Sequence, residues 1–331
     1  MKEIIVSIII PIRNEEKYII ECVKSLTKQD YSKDKYEIIF VDGCSNDNTL
    51  IILKEYIYKN GVNNIKILKN EHRTVPYAMN AGIKIAAGKY IIRMDAHSEY
   101  AINYISKCVF YLETVDAENV GGIAKTVGKS YVGKAIALML SSKFGVGNSK
   151  FRTSNFSGYV DTVPFGAFRK ELFERIGYYN EKLTRNQDNE FNYRIRKNGG
   201  KIYLTSDIQF KYYCRDTVFE IVKMAFLNGK WNVITENLCP GTMSYRHFAP
   251  MLFALSVMIC FLFFILDYKI VYLLYLEFLC YFFLDLFFSV KETLKLNLRY
   301  FPLLVFLFPL FHLSYGMGSI YGLFSMFKLK F

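Results

Sequence analysis

Residues 91–100 read IIRMDAHSEY: an apolar run with one arginine ends in Asp95, then Ala96, then His97. On an extended segment, residues two apart project to the same side, so this carboxylate and imidazole can share one target. Hard divalent ions accept carboxylate oxygen, and Mn²⁺ tolerates imidazole as well. Two protein ligands leave coordination positions open for a substrate's diphosphate. The plainer alternative is an Asp–His hydrogen bond that closes a strand. A Ser/His/Asp triad is a poorer account, because no G-x-S-x-G elbow occurs in the chain.

Other stretches hold residues of the same kind. PIRNEE (11–16) offers Pro11, Arg13, Asn14 and Glu15; DGCSNDNT (42–49) offers Asp42 and a turn in which Asp47 suits a helix N-cap. Asp42 can accept hydrogen bonds from the N–H edge of a pyrimidine, although Asp and Asn also end strands and cap helices routinely. Arg73, in NEHRTVPYAMN (70–80), brings a forked cation suited to phosphate. In LTRNQDNEFNYRIRKNGGKI (183–202), Asp188 and Glu190 fall in the first turn of an expected helix, where the macrodipole favours carboxylates. A carboxylate held there also suits a base that takes a proton from an attacking hydroxyl. Neither G-x-x-x-x-G-K-[ST] nor G-x-G-x-x-G occurs, so neither an ATPase P-loop nor a dinucleotide fingerprint is supported.

The elements that must position these residues follow from the apolar pattern. β-branched runs at 4–11, 36–43, 64–68 and 89–97 predict strands, and helical spacing over 15–28, 47–60 and 75–87 predicts the helices between them. Strands alternating with helices argue for a mostly parallel α/β sheet covered on both faces. Ligands bind at the carboxyl ends of such strands, which is where the polar clusters fall.

The rest of the chain is different. From Phe248 onward there are six Lys/Arg and four Asp/Glu, which leaves 36 and 26 of the chain's 42 and 30 for residues 1–247. A basic front is therefore followed by an apolar back. Three runs are long enough to span about 30 Å of hydrocarbon: Phe248–Leu266, Ile270–Val290 with Glu277 and Asp285, and Tyr300–Phe327, which Pro302 and Pro309 make a kinked or re-entrant candidate. Lys291, Lys295 and Arg299 lie between the second and third runs, against Asp267 and Lys269 between the first two. The positive-inside rule then places the N-terminal part in the cytoplasm, and no secretory signal is expected before it. Glu277 and Asp285, eight apart, share a helix face and suggest helix packing or self-association. The seven cysteines show no C-x-x-C pairing, which favours a reduced compartment without disulfides or zinc. The dispersed basic charge carries no nucleic-acid recognition motif.

The ordered set VSIIIPIRNEE, FVDGCSNDNT, AMNAGIKIAAGKYIIRMDAH and NQDNEFNYRIRKNGG resembles the family 2 glycosyltransferases, which have the GT-A (Rossmann-like) fold. TVPYAMN, MDAHSEY and VPFGAFRKELFERIGYYNE are closer still to ExoA-like bacterial exopolysaccharide (succinoglycan-type) enzymes with C-terminal membrane helices. The resemblance covers roughly residues 4–250. It implies an inverting, hexosyltransferase-type enzyme that moves a sugar from a nucleotide-diphosphate sugar to a lipid-linked saccharide in cell-surface polysaccharide biosynthesis. It places Pro11, Arg13 and Glu15 in the nucleotide pocket and Asp42 on the base, Asp95 and His97 in the D-x-D metal position, and Asp188 as the general base; Arg73 and Asn80 are expected to join the nucleotide-sugar site. Asp161 and Gly166 become acceptor-pocket neighbours. His97 replaces the last carboxylate of D-x-D, which favours Mn²⁺ over Mg²⁺, and Gln187 replaces the Glu of Glu-Asp. LNGKW (227–231) lacks the Gln of the processive Q-x-x-R-W, so single-residue addition is expected, with Lys230 against the leaving diphosphate. The implied organisation is a cytoplasmic GT-A domain (1–220), an interfacial helical segment (221–247) and a region of two or three transmembrane helices (248–331). A bacterial-type cytoplasmic membrane and polysaccharide-assembly partners go with it. Two rivals stand beside this reading: a polyprenyl-phosphate glycosyltransferase and an inactive scaffold.

Overall fold

The computed structural model describes residues 3–264 and 269–328. The expected strands form where the apolar runs predicted them, as β1 (Val6–Ile12), β2 (Tyr36–Asp42), β3 (Ile65–Lys69) and β4 (Tyr90–Arg93). Every position of β2 and β4 is buried. Strands covered on both faces tolerate almost no polar alternation, which is why these runs read as continuous hydrophobic stretches. Pairing is parallel throughout this half, with β1 between β2 and β4, and β3 outside β2.

Five further strands complete a sheet of nine among the described residues: β5 (Ser98–Tyr100), β6 (Asn119–Val127), β7 (Gly158–Tyr159), β8 (Ala167–Arg169) and β9 (Ile202–Tyr213). The order is β3-β2-β1-β4-β8-β6-β9-β5, and β7 pairs with β9. Strand β8 runs antiparallel to β4 and β6, so the sheet is mixed.

Helices α1 (Ile19–Thr27), α2 (Thr49–Lys59), α3 (Val75–Ile85) and α4 (Tyr104–Thr114) follow β1, β2, β3 and β5. Pro76 sits in the first turn of α3, where its missing N–H would have no intrahelical partner anyway. Gly82 lets α3 approach the sheet; a Cβ there would lie 2.6 Å from the Ile9 side chain.

The chain forms two compact units. The first holds residues up to 125 and 154–212, including α8 (Glu171–Ile176) and α9 (Gln187–Lys197). The second takes residues 126–153, with α5 (Tyr131–Leu140), α6 (Lys143–Val146) and α7 (Lys150–Thr153), together with everything from 213 onward. That later part consists of α10 (Val218–Leu238), α11 (Ala249–Phe264), α12 (Ile270–Thr293) and α13 (Phe301–Lys328).

Within the second unit α13 is the centre: α5, α6, α10, α11 and α12 all pack against it. The α10–α13 seam is built on small residues. A Cβ on Gly229 would lie 2.0 Å from the Tyr315 carbonyl oxygen, and one on Gly318 would lie 2.0 Å from that of Phe226. His312 Nε2 of α13 donates to the Phe144 carbonyl at 2.9 Å, and its Nδ1 lies 2.8 Å from Tyr281 Oη.

Among the described residues, two helices are long and apolar enough to cross a membrane, Val271–Thr293 and Leu298–Met326. The third expected run forms one helix, α13, with Pro309 inside it and Pro302 in its first turn. The first expected run gives a described helix of 16 residues, short of the roughly 20 a span needs. Its end, Ile265 and Leu266, and the flanking Asp267 lie outside the described residues. Glu277 of α12 accepts a hydrogen bond from Ser256 of α11, while Asp285 accepts one from Ser289 of its own helix.

Candidate active site

The polar loops that follow β1 and β2 are tied to one another. Asn14 N–H donates to Ser45 Oγ at 3.0 Å, Asn46 N–H to Asn14 Oδ1 at 3.0 Å, and Glu16 N–H to Asp47 Oδ2 at 3.2 Å. Burial pushes the Asp47 carboxyl up, but hydrogen bonds from the Thr49 hydroxyl and N–H and from Glu16 outweigh it and hold the group below its ordinary value. The N-cap of α2 is Asn48, one residue beyond the expected Asp47, whose Oδ1 instead accepts from the Thr49 N–H and hydroxyl at the start of the helix. Asn14, Cys44, Arg73, Phe165 and Asn186 all adopt left-handed backbone conformations without being glycine. Such residues concentrate where a fold over-determines its loops, commonly at functional sites. Three of these five lie in the loops after β1, β2 and β3.

Asp42 ends β2 and is only 4% exposed. Ser45 Oγ donates to its Oδ1 at 2.6 Å and Ser45 N–H lies 3.2 Å from both oxygens. The capping alternative is thus realised in part. Gly43 next to it lies against Arg13 and Arg73: a Cβ there would sit 3.4 Å from Arg13 Cδ and 3.5 Å from Arg73 Cα. Two arginines from separate loops converge on one turn, with Arg13 exposed and Pro11 half-buried beside it in β1.

At the end of β4 the charges form a chain. His97 Nδ1 lies 3.1 Å from Glu15 Oε1, and its Nε2 lies 3.8 Å from Asp95 Oδ2. The latter distance is too long for the Asp–His hydrogen bond that was the plainer alternative. Asp95 Oδ1 lies 3.5 Å from Arg93 Nη2, and Arg93 Nη1 forms an ion pair with Asp188. Tyr100 fixes the Asp95 main chain from both sides, accepting from its N–H at 2.6 Å and donating to its carbonyl at 3.1 Å. Cys22 is fully buried beside them; burial first, then the Glu15 and Asp95 charges, push its thiol well up, so it stays neutral.

These residues fit a divalent ion. Two atoms each about 2.1 Å from one ion can be at most about 4.2 Å apart, and Asp95 Oδ2 and His97 Nε2 satisfy that at 3.8 Å. Glu15 engages the other ring nitrogen, the carboxylate–histidine arrangement that orients metal ligands. Among the described residues no group of three His, Cys, Asp or Glu could hold an ion. An ion held by two side chains needs oxygens from a ligand to complete its shell.

Asp188 is carried by α9, whose N-terminus begins at the left-handed Asn186. Arg194 locks that helix: it pairs with Glu190 and donates to the carbonyls of Ile176, Gly177 and Tyr178. Gln187 is 7% exposed and its Oε1 has no hydrogen-bond partner among the described residues.

The remaining expected residues are placed differently. Asn80 is buried, and its amide is taken up by Tyr179 and Glu181 at 2.8–3.0 Å, which anchors the 179–181 segment to α3. Gly166 accepts from Arg93 N–H at 3.0 Å, and a Cβ there would meet Asn119 Oδ1 at 2.1 Å. Asp161 is half-buried. Lys230 belongs to the second unit, where its ammonium lies 5.0 Å from the centre of the Tyr321 ring. Sequence reading missed the parts played by Arg93 and by Glu15 toward His97. An arginine inside an otherwise apolar strand was the signal for the first; the second joins residues 82 apart and left none.

Residues 7–177 match the model of a family described as glycosyl transferase family 2. The chain is 33% identical over 230 residues, 68% of its length and 71% of the relative's, to a dolichyl N-acetyl-alpha-D-glucosaminyl phosphate 3-beta-D-2,3-diacetamido-2,3-dideoxy-beta-D-glucuronosyltransferase of Methanococcus voltae. It is 29% identical over 239 residues, covering 71% and 72% of the two chains, to the succinoglycan biosynthesis protein ExoA of Rhizobium meliloti. Among solved structures it resembles the mannosyltransferase PcManGT of Pyrobaculum calidifontis, in complex with GDP-Man and Mn²⁺. The TM-score is 0.60, the identity 17%, and the match covers 95% and 86% of the chains, a likeness of fold.

Proposed function

Because the chain belongs to glycosyl transferase family 2, we propose that it transfers a sugar from a nucleotide-diphosphate sugar to a lipid-linked saccharide in cell-surface polysaccharide or glycoconjugate assembly. The observation that carries this reading is the run of charges Glu15–His97–Asp95–Arg93–Asp188 at the carboxyl edge of β4. It sets a cation-binding pair next to a half-exposed carboxylate suited to act as a base. The Methanococcus voltae relative is named for a dolichyl-phosphate-linked sugar acceptor, which supports a lipid-linked acceptor here. Two helices of spanning length among the described residues support attachment to a membrane; a cytoplasmic N-terminal part rests on the basic flank Lys291, Lys295 and Arg299 alone.

Asp95 and His97 would hold the ion, with Mn²⁺ preferred for the imidazole; when bound, it neutralises charge developing on the departing nucleoside diphosphate. Arg13 and Arg73 add forked cations for the same phosphates. Asp42 accepts from the base with the lone pairs that Ser45 leaves over. Asp188 takes the proton of the acceptor hydroxyl, which attacks the anomeric carbon from the face opposite the diphosphate and inverts it. Asp161 and Gly166 stand on the acceptor side.

The test is a screen of radiolabelled nucleotide sugars against a membrane lipid extract. Polyprenyl phosphate and a polyprenyl diphosphate saccharide are supplied as separate acceptors. The expected result is label in the saccharide arm, lost by at least about 10²-fold in D188N. Label in the polyprenyl phosphate arm alone would make the chain a lipid-phosphate glycosyltransferase. No label from any donor would favour the inactive scaffold, and wild-type turnover by D188N would remove Asp188 as the base.

A further inference from the structure

Arg93 is unusual in its setting. It ends a strand buried at every position, is 4% exposed, and lies with its guanidinium carbon 5.7 Å from the centre of the Phe165 ring. An isolated cation is costly in such a place and persists only when paired. Here its two forks serve two carboxylates from distant parts of the chain, Asp95 and Asp188. The first belongs to the cation-binding pair and the second is the proposed base.

We propose that Arg93 is a positioning residue that couples occupancy of the cation site to the state of Asp188; this rests on the reading of Asp95 as an ion ligand given above. The physical argument is a competition for one charge. While Asp95 is bare, the guanidinium divides between two anions. Once Asp95 is neutralised by a bound ion, the whole charge of Arg93 bears on Asp188 and holds it in place. The base is thereby fixed only when donor phosphates can be held. By reciprocity, any change at Asp188 must be felt as a change in cation affinity, because linked equilibria affect each other equally.

That reciprocity gives a test that does not use turnover. Mn²⁺ binding by the purified full chain in detergent is measured by the loss of the free-ion EPR signal, with UDP and, in parallel, GDP present. D188N leaves Arg93 to Asp95 alone, where it competes with the ion, so Mn²⁺ affinity is expected to fall about threefold or more. In an R93M background the same D188N change should alter affinity by less than about 1.5-fold, since the shared charge is gone. R93K keeps one positive charge but cannot fork to two carboxylates, so it should show an intermediate effect. It also carries the test if R93M fails to melt cooperatively. Wild-type affinity in D188N, or an equal D188N effect with and without Arg93, overturns the coupling while leaving the cation site standing. Absence of Mn²⁺ binding by the wild type with either nucleotide overturns the cation-site reading, and the coupling with it.

Discussion

Glu15 reaches the reacting region through another side chain. Its carboxylate engages His97 Nδ1 at 3.1 Å and so turns Nε2 toward Asp95. Loss of such an outer partner typically weakens metal binding 10–100-fold. E15A should therefore lower Mn²⁺ affinity by about that factor while E15Q, which keeps an acceptor oxygen, should lose less; equal affinities for wild type and E15A would make the contact incidental. Glu37 is a different kind of buried acid, with no part in the chemistry. Burial pushes its carboxyl up, but hydrogen bonds from Lys66, the Ala87 N–H and Ser7, together with the Lys66 charge, overcome this and hold it below its ordinary value. A depressed folded value stabilises above the unfolded value near 4.3 and is lost as pH falls through the folded one. The difference in Tm between wild type and E37Q should be largest near pH 6 and shrink below about pH 4; a constant difference would show that the charge is not what counts.

At the scale of elements, the first half of the sheet could be read directly. Strands β1 to β4 are continuous apolar runs because both faces are covered, and no other element makes such short runs between turn residues. The second half was hidden for physical reasons. Strands β5, β7 and β8 have only two or three residues, too few for a period to show. Their partners are set by pairing across long separations, such as Ala167 with Ile92. The same distinction governs the site: Asp95 and His97 were legible because they are two apart on one strand, whereas the Arg93–Asp188 pair joins two elements. Among the helices, the close α10–α13 seam depends on glycine. G318V should lower the Tm of the second unit by several degrees in detergent, since its Cβ would overlap the Phe226 carbonyl. An unchanged melt would mean that the seam opens at no loss.

For the whole molecule, the decisive property is the second unit's outward face. Leu273, Tyr275, Leu276, Phe283 and Phe287 of α12 are all exposed. Such a patch far exceeds what a water-facing surface carries. The chain should remain in the membrane pellet after alkaline carbonate washing; release into the supernatant would argue against spanning helices. The second unit has another consequence, in the order of its making. Residues 126–153 belong with helices that begin only at Val218, and α13, against which α5 and α6 pack, starts at Phe301. A ribosome adding about 5–20 residues per second delivers α13 roughly 10–35 seconds after α7. Over that interval an apolar stretch of the middle of the chain waits without its permanent neighbour, and a stalled or prematurely ended translation would hand it to quality control.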